Sequence, residues 1–257
     1  MKIHCFTCKK RLKITDNWIG KFVNCPNCKT SFELTLNYIL SPINTAFKEQ
    51  CAYNHTQRKA INWAKKVMAH MDNYIILDTE TTGLESMDEI IEMSIINLQG
   101  EVLFNKRFAL TDRKTISKGA FDCHGITIYD LKNCNKFEEY LEEIQQILTN
   151  KTPIIYNSDF DCRVIRQNLK ICSDSYYRKP QFDLHTHPDC AMLKYSDYVY
   201  DWNDYYGNTK RQRLQGGDHS ALGDCFATLK IIMQMANINP DNHTDSFKYD
   251  NCEIHYF

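Results

Sequence analysis

The sequence contains no apolar run of about 18 residues, the shortest length expected of a membrane-spanning helix. Residues 1–4, Met-Lys-Ile-His, do not begin the apolar segment of a secretory signal. We therefore expect a soluble, cytoplasmic protein with reduced thiols and no membrane partner. The sequence also lacks internal repeats, so a solenoid or repeat array is not expected.

The chain has no excess of charge of either sign. Its 31 Lys and Arg residues balance 32 Asp and Glu residues, which gives a formal net charge of −1. A global basic field that would attract nucleic acid is therefore excluded. Any binding of phosphates must rely on metals or on local basic patches, such as Lys210, Arg211 and Arg213. These three residues could equally belong to a solvated loop.

Cysteine, in contrast, is abundant, with 12 residues. Four of them form two Cys-x-x-Cys pairs, Cys5 with Cys8 and Cys25 with Cys28, and sixteen residues separate the pairs. Four thiolates at this spacing suit one tetrahedral, structural Zn²⁺. With the short β-like runs around them, they predict a zinc ribbon over residues 1–34. Redox dithiols and two disulfides are the alternatives, but a redox motif rarely comes doubled.

The ribbon interleaves basic and aromatic residues. Its lysines and arginines outnumber its two acidic residues, Asp16 and Glu33. Such a mixture suits single-stranded nucleic acid, through stacking and phosphate contacts. In so small a unit, however, aromatic residues such as Phe6, Trp18 and Phe22 often form the only core. Nucleic acid and a protein partner both remain open for the ribbon.

Residues 35–71 are predicted to be a linker and a connecting helix, with Ser41-Pro42 marking the linker. The helix is expected over about 46–69, because its apolar residues recur at helical spacing. Farther along, strands are predicted at 74–77, 90–98, 101–108 and 153–156, and helices at 137–148, at 160–171 and after His219. This order of elements fits an α/β protein.

Residues 78–84, Asp-Thr-Glu-Thr-Thr-Gly-Leu, follow directly after an apolar strand-like run. Residues i and i+2 of a strand point to the same face, so Asp78 and Glu80 are expected to project together. Two carboxylates this close repel unless protons or a cation neutralise them. Hard divalent cations are their usual partners. The stretch therefore predicts a metal site, and Gly83 lets the backbone turn away from it.

Two later segments could supply further ligands. A short strand leads through Asn157 into a helix that starts near Phe160 and Asp161. His219 then precedes an apolar helix that contains Asp224, about 1.4 helical turns later. Each segment alone is a weak signal, because Asn and Asp near a helix start are usually caps. Their order and context carry the interpretation.

Together these motifs resemble the DnaQ-like, or DEDDh, 3′–5′ exonuclease family. The matches are Asp-x-Glu-Thr-Thr-Gly at Asp78, Asn-x-x-Phe-Asp at Asn157 and His-x-Ala-x-x-Asp at His219. Residues 123–127, Cys-His-Gly-Ile-Thr, look like the family's His-Gly-Ile-Thr loop. Tyr156 departs from the pattern, because many members have histidine at this position.

The resemblance runs over about residues 60–236 and implies a ribonuclease H-like fold, a mixed sheet flanked by helices. It places the exonuclease domain at 72–238, before a C-terminal tail at 239–257. Residues 202–214 resemble an insert found in one bacterial and phage-type subgroup. The tyrosines at 195–206 could stack on bases or pack the insert against the domain.

The resemblance also implies a mechanism. Asp78 would bridge two Mg²⁺ or Mn²⁺ ions, Glu80, Asp161 and Asp224 would complete the coordination, and His219 would act as general base. The residues that would bind substrate are Thr81, Gly83, Leu84, Asn157 and Phe160. The expected activity is release of 5′-mononucleotides from the 3′ end of single-stranded DNA or RNA, with DNA favoured.

Two other functions remain open. RNA 3′-end trimming uses the same catalytic residues, and an inactive nuclease fold could serve as a module that binds nucleic acid or protein. The presence of all four carboxylates and of His219 argues against the inactive module. A zinc-dependent regulator with coincidental acidic motifs is a further alternative.

Overall fold

A computed structural model describes residues 2–15, 18–35, 42–111, 115–173, 188–203 and 205–237. The chain divides between Thr56 and Gln57 into an N-terminal unit and a larger second unit. The predicted tail at 239–257 and most of the linker lie outside the described residues, and the predicted domain boundaries stay predictions. Among the described residues, no helix is both long enough and apolar enough to cross a membrane.

The N-terminal unit is built from two short antiparallel hairpins. Strand β1 (Lys2–His4) pairs with β2 (Arg11–Lys13), and β3 (Phe22–Asn24) pairs with β4 (Ser31–Glu33). Their inner residues form one small core that also holds the cysteines: Ile3, Cys5, Leu12, Ile14, Cys25, Phe32 and Leu34. The exposed side chain of Phe22 lies outside this core. The core is therefore mainly aliphatic rather than aromatic.

Helix α1 (Pro42–Ala69) confirms the predicted connecting helix and starts four residues earlier than expected. Its spacing of small apolar residues explains how it packs. Ala60, Ala64 and Val67 recur at the i, i+4 and i+7 positions and are fully buried in a core shared with the sheet. Their short side chains let the helix lie close to the strands.

The second unit is organised around a five-stranded mixed sheet in the order β7-β6-β5-β8-β9. The strands are β5 (Tyr74–Thr81), β6 (Ile90–Asn97), β7 (Val102–Arg107), β8 (Thr152–Ile155) and β9 (Asp189–Cys190). Strands β5, β6 and β7 pair antiparallel, whereas β8 and β9 continue the sheet in parallel. The predicted meander is confirmed, but β5 extends past Leu77 to Thr81 and so includes both carboxylates.

Helices cover both faces of this sheet. They are α2 (Lys118–His124), α3 (Ile128–Leu131), α4 (Leu141–Leu148), α5 (Ser158–Ser173), α6 (Ala191–Val199) and α7 (Ala221–Ala236). The alternation of β5 separates two cores. Ile76 packs with α1, α6 and α7, whereas Ile75 and Leu77 pack with α4 and α5. This arrangement confirms the ribonuclease H-like α/β fold, a mixed sheet flanked by helices.

A small hairpin projects from the second unit between α6 and α7. Its strands, β10 (Trp202–Asn203) and β11 (Asn208–Thr209), pair antiparallel outside the main sheet. It lies within the 202–214 segment that resembles a subgroup insert. After this hairpin the chain continues to His219 and α7.

Candidate active site

Three of the four predicted carboxylates converge at one end of the sheet. Asp78 and Glu80 come from β5, and Asp224 comes from the first turn of α7. One carboxylate oxygen of each lies within 4.8 Å of the others. The alternation of β5 puts Asp78 and Glu80 on the face of Ile76, which is the face that α7 covers. The local pleat and the packing of α7 thus bring the three groups together.

Asp161 does not belong to this group of three. It lies in the first turn of α5, which packs on the opposite face of the sheet. Its Oδ1 accepts a hydrogen bond from the Thr79 hydroxyl at 2.7 Å, and Thr79 points to the face opposite Asp78. Burial raises the pKa of Asp161 to about 7, even though the Thr79 bond lowers it. Asp161 still acts on the group through its charge, which raises the pKa of Asp78.

The three carboxylates of this group repel one another when all are ionised. Burial, together with the charges of Asp161 and Glu80, raises the pKa of Asp78 well above its ordinary value. Burial and the charges of Asp224 and Glu92 raise the pKa of Glu80 to about 8. Burial also raises the pKa of Asp224. Carboxylates in this state either hold protons at neutral pH or require a cation.

Glu92 is a fifth acidic residue that was missed in the sequence. It is buried on β6 directly opposite Glu80. Its Oε1 accepts from Arg107 Nε at 2.9 Å, and its Oε2 accepts from the Ala221 backbone N–H at 3.0 Å. Both oxygens are therefore engaged, and Glu92 fixes the start of α7 to the sheet. A charged residue inside the apolar run of β6 was the available signal.

His219 lies at the mouth of the site, in the left-handed backbone region with φ 59°. Its backbone N–H donates to Asp224 Oδ1 at 3.2 Å, while its side chain is exposed to solvent. The following residue, Ser220, caps α7 by accepting from Gly223 N–H. Gly217 approaches Asp224 so closely that a Cβ there would lie 2.3 Å from Oδ1. A side chain at position 217 would therefore have to displace the Asp224 carboxylate, which the sequence motifs did not indicate.

The turn after β5 contains three of the predicted substrate residues. The Thr81 hydroxyl donates to the Gly83 carbonyl, and a Cβ at Gly83 would lie 2.5 Å from Asp88 Oδ2. Asp88 is buried and also accepts from Thr82 and from the Glu85 amide. Thr81 and Gly83 therefore shape the turn. Leu84 is 75% exposed at its tip.

The other two predicted substrate residues lie at the start of α5. Asn157 directly precedes this helix, and its Oδ1 is buried without a hydrogen-bond partner. Phe160 is half-buried, and the Arg163 guanidinium carbon lies 5.2 Å from its ring centroid. Asn157 thus offers a buried acceptor next to the site.

His124, in the loop that resembles the family's His-Gly-Ile-Thr segment, supports the end of β5. Its Nδ1 accepts from the Ile126 backbone N–H at 3.0 Å. The proton must therefore reside on Nε2, which lies 3.1 Å from the Thr81 carbonyl and donates to it. Burial lowers the pKa of His124. The neutral His124 imidazole thus stabilises the end of β5 by a hydrogen bond, next to the bulge between Glu80 and Thr81.

Tyr156, the departure from the family pattern, has a defined role in this chain. Its hydroxyl donates to the Gln212 carbonyl at 2.9 Å, which ties the end of β8 to the segment that returns from the hairpin. Burial raises the pKa of the phenol, so it stays protonated as a donor. Tyr156 therefore contacts the segment that resembles the insert directly.

The four N-terminal cysteines form a separate cluster within their own unit. Their sulfur atoms all lie within 4.8 Å of one another, with Cys5 to Cys28 at 3.6 Å and Cys8 to Cys25 at 3.5 Å. A disulfide requires about 2.05 Å, and these cysteines are free thiols. The disulfide alternative is therefore wrong for these four residues.

The second unit of the chain is similar to known exonucleases. Residues 75–232 match the RNase_T family, described as Exonuclease. An uncharacterised exonuclease of Escherichia phage 186 is 29% identical over 178 residues, covering 64% of this chain and 89% of the phage protein. A PolC-type DNA polymerase III of Thermotoga petrophila is 31% identical over 170 residues, which span 64% of this chain but 12% of the polymerase.

Among solved structures, Escherichia coli exonuclease I in complex with a dT13 oligonucleotide is similar with a TM-score of 0.47 and 17% identity. The alignment covers 66% of this chain and 42% of that chain. The family match covers more than half of the sequence and includes all four predicted carboxylates and His219. The chain belongs to the RNase_T family of DnaQ-like exonucleases.

Proposed function

We propose that the protein is a metal-dependent 3′–5′ exonuclease that releases 5′-mononucleotides from the 3′ end of single-stranded nucleic acid, with DNA preferred over RNA. The convergence of Asp78, Glu80 and Asp224 beside His219 carries the proposal. The family supports nuclease chemistry, and relatives named as DNA polymerases support DNA as the substrate.

The residues fit a pair of hard divalent cations, Mg²⁺ or Mn²⁺. Their donors are carboxylate oxygens, and their raised pKa values show that the protein leaves this negative charge without sufficient compensation. Asp78, Glu80 and Asp224 would hold the ions, and Asp161 would complete the coordination. When bound, such ions stabilise the charge on attacking and leaving oxygens of a phosphodiester.

The chain's own residues would supply the proton transfer. A neutral imidazole can accept a proton from water. His219 is the candidate because it lies exposed at the start of α7, next to Asp224. Its position in a loop lets the imidazole reach a water beside the carboxylates, whereas Asp224 is fixed within the helix.

The terminal nucleotide would be held by the turn after β5 and by the start of α5. Leu84 offers an exposed apolar side chain for a base, and Phe160 offers a half-buried ring. The Asn157 Oδ1 provides a buried acceptor for a hydroxyl or amino group of the nucleotide. Thr81 and Gly83 would present backbone groups at the same turn.

The decisive experiment compares degradation of matched DNA and RNA oligonucleotides, labelled at the 5′ end, with the 3′ end free or blocked. We expect Mg²⁺- or Mn²⁺-dependent shortening of the DNA with a free 3′ end. Asp78→Ala should abolish turnover, and His219→Ala should lower it by about 10²–10⁴-fold. Asp122→Ala, which removes an exposed carboxylate on α2, is the matched control and should be fully active.

Each alternative has its own outcome in this experiment. Full activity of Asp78→Ala would refute the assignment of the site. Faster shortening of RNA would support 3′-end trimming of RNA instead. Binding of oligonucleotides without any metal-dependent shortening would support an inactive binding module.

We further propose that Cys5, Cys8, Cys25 and Cys28 hold one structural Zn²⁺. Sulfur atoms about 2.3 Å from a tetrahedral zinc are separated by roughly 3.8 Å, close to the 3.5 and 3.6 Å of the two shortest pairs. The two pairs lie at equivalent turns of the two hairpins, with positive φ at Lys9 and Lys29. A protein or nucleic-acid partner of this unit stays a prediction.

A further inference from the structure

The structure separates the tyrosines around the insert into two classes. Tyr195 is buried in the core, and its ring stacks on Tyr198 at 6.1 Å. Tyr205 and Tyr206, in contrast, are 86% and 72% exposed at the tip of the β10–β11 hairpin. Their rings meet edge-to-face at 4.8 Å. Packing the insert against the domain therefore does not explain this second pair.

Asn203 positions the backbone of both tyrosines through hydrogen bonds. Asn203 Oδ1 accepts from the backbone N–H groups of both Tyr205 and Tyr206, at 3.1 and 3.3 Å. The Asn203 carbonyl accepts from Gly207 N–H at 2.9 Å, and Gly207 adopts φ 62°. The two rings are thus held in the exposed position before any partner binds, which limits the entropy lost on binding.

The base of the hairpin is fastened to the nuclease domain. Thr209 Oγ1 donates to Asp197 on α6 at 3.0 Å. Gln212 N–H donates to Ser196 Oγ at 3.1 Å, and the Gln212 carbonyl accepts from Tyr156. The hairpin is therefore an extension of the domain with a fixed attachment.

The segment that follows the hairpin leads to the site. Arg211, just after β11, lies 3.5 Å from Asp159, two residues before Asp161. Farther along the same segment, Gly217 approaches Asp224 closely. The segment between the tyrosines and the carboxylates carries Lys210, Arg211 and Arg213. Lys210 pairs with Asp201 at 3.0 Å and Arg211 pairs with Asp159, whereas Arg213 is exposed. In a single-stranded nucleic acid bound along this segment, the phosphates would pass the Lys and Arg side chains while the bases reach the two tyrosine rings.

We propose that Tyr205 and Tyr206 form a stacking platform for single-stranded nucleic acid, upstream of the nucleotide being removed. The proposal rests on the proposed function, because it uses the same substrate strand. A single-stranded partner is favoured over a protein by the basic segment between the platform and the site. The platform touches bases that are not cleaved, so it contributes to binding of long strands and leaves the chemical step unchanged.

The test compares an oligothymidylate of about 20 nucleotides, which can span both regions, with a dinucleotide that reaches only the site. In the Tyr205→Ala/Tyr206→Ala double variant, KM for the long strand should rise about 10-fold, because the bases lose the rings on which they stack. The kcat for both substrates and the KM for the dinucleotide should not change. Tyr205→Phe/Tyr206→Phe should behave like the unmodified protein. Tyr129→Ala, which removes another highly exposed tyrosine, should have no effect.

A binding experiment keeps this proposal separate from the proposed function. In the Asp78→Ala background, fluorescence anisotropy should show about 10-fold weaker binding of a labelled oligothymidylate when both tyrosines are replaced by alanine. Absence of exonuclease activity in the unmodified protein, together with this loss of affinity, would refute the proposed function and support the platform. Unchanged affinity and unchanged KM in the double alanine variant would refute the stacking platform. The two tyrosines would then be interpreted as a contact site for a protein partner.

Discussion

Replacing Glu80 with glutamine should stabilise the metal-free protein while it abolishes or greatly lowers turnover. The substitution keeps the size of the side chain and removes one negative charge from the group. Glu80 is suited to this test because its carboxylate lies on β5 between the charges of Asp224 and Glu92. Replacing a residue that only supports the fold would instead be expected to destabilise the protein.

The magnitude follows from the pKa of Glu80, which burial and neighbouring charges raise from 4.5 to about 8. For an acid, a raised pKa in the folded state means that folding disfavours the ionised form. The penalty is absent below about pH 4.5, grows as the pH rises towards 8 and is complete above it. Each pKa unit corresponds to about 1.4 kcal/mol, so the upper bound is on the order of 5 kcal/mol.

A single substitution should recover only part of this free energy. The carboxylates share their mutual repulsion, and the new amide remains partly buried. We therefore expect about 2 kcal/mol in free energy of unfolding at pH 8, or roughly 4–8 °C in Tm. At pH 4.5 the difference should nearly disappear, because the carboxyl group is then protonated in the folded state and about half protonated in the unfolded state.

The assay is thermal unfolding of the unmodified protein, Glu80→Gln and an exposed control, Glu85→Gln, at pH 4.5 and pH 8. Each is measured with a chelator of divalent cations and again with excess Mg²⁺. In Mg²⁺ the unmodified protein should gain more in Tm than Glu80→Gln, because the ion stabilises only a native state that binds it. A lower Tm of Glu80→Gln at pH 8 in chelator would contradict this account of the charge.

Two further predictions concern other parts of the molecule. Glu92→Gln replaces one acceptor oxygen with an NH2 group, which then faces either Arg107 Nε or the Ala221 N–H, both of them donors. The loss of a charge-assisted hydrogen bond, worth about 1.5–3 kcal/mol, should lower Tm in Mg²⁺ and lower kcat about 10-fold. An unchanged kcat would contradict this prediction. Metal analysis should find one zinc per chain. Removing this Zn²⁺ with a zinc-selective chelator in excess Mg²⁺ should abolish the hydrogen-exchange protection of residues 2–35, while turnover of the dinucleotide continues. Protection that persists without zinc would rule out a structural ion.

Much of the site could be predicted because its signals are local. The i, i+2 spacing of Asp78 and Glu80 fixes their common face once the segment is a strand. The apolar periodicity after His219 predicts α7 and puts Asp224 inside it. Helix α1 and the antiparallel strands were likewise predicted from spacing and turn residues. These features depend on a few neighbouring residues, and the family resemblance supplied the topology.

Other features depend on contacts between distant segments and were not predictable. Nothing in the sequence shows that Thr79 holds Asp161 across 82 positions, or that Glu92 reaches the start of α7. The short helix α2 was missed as well, although Ser117 caps it. Likewise, sequence alone did not distinguish the buried Tyr195 from the exposed Tyr205.

The start of α7 explains how one small region carries two kinds of carboxylate. Glu92 receives an N–H from the helix and a bond from Arg107, at the end where the helix dipole favours negative charge. Its charge is therefore compensated by the protein itself. Asp78 and Glu80 face the same helix without comparable compensation, and burial raises their pKa values. Removing the compensation of Glu92 should disturb structure, whereas the charges of Asp78 and Glu80 would be compensated by the cations of the proposed metal-dependent nuclease.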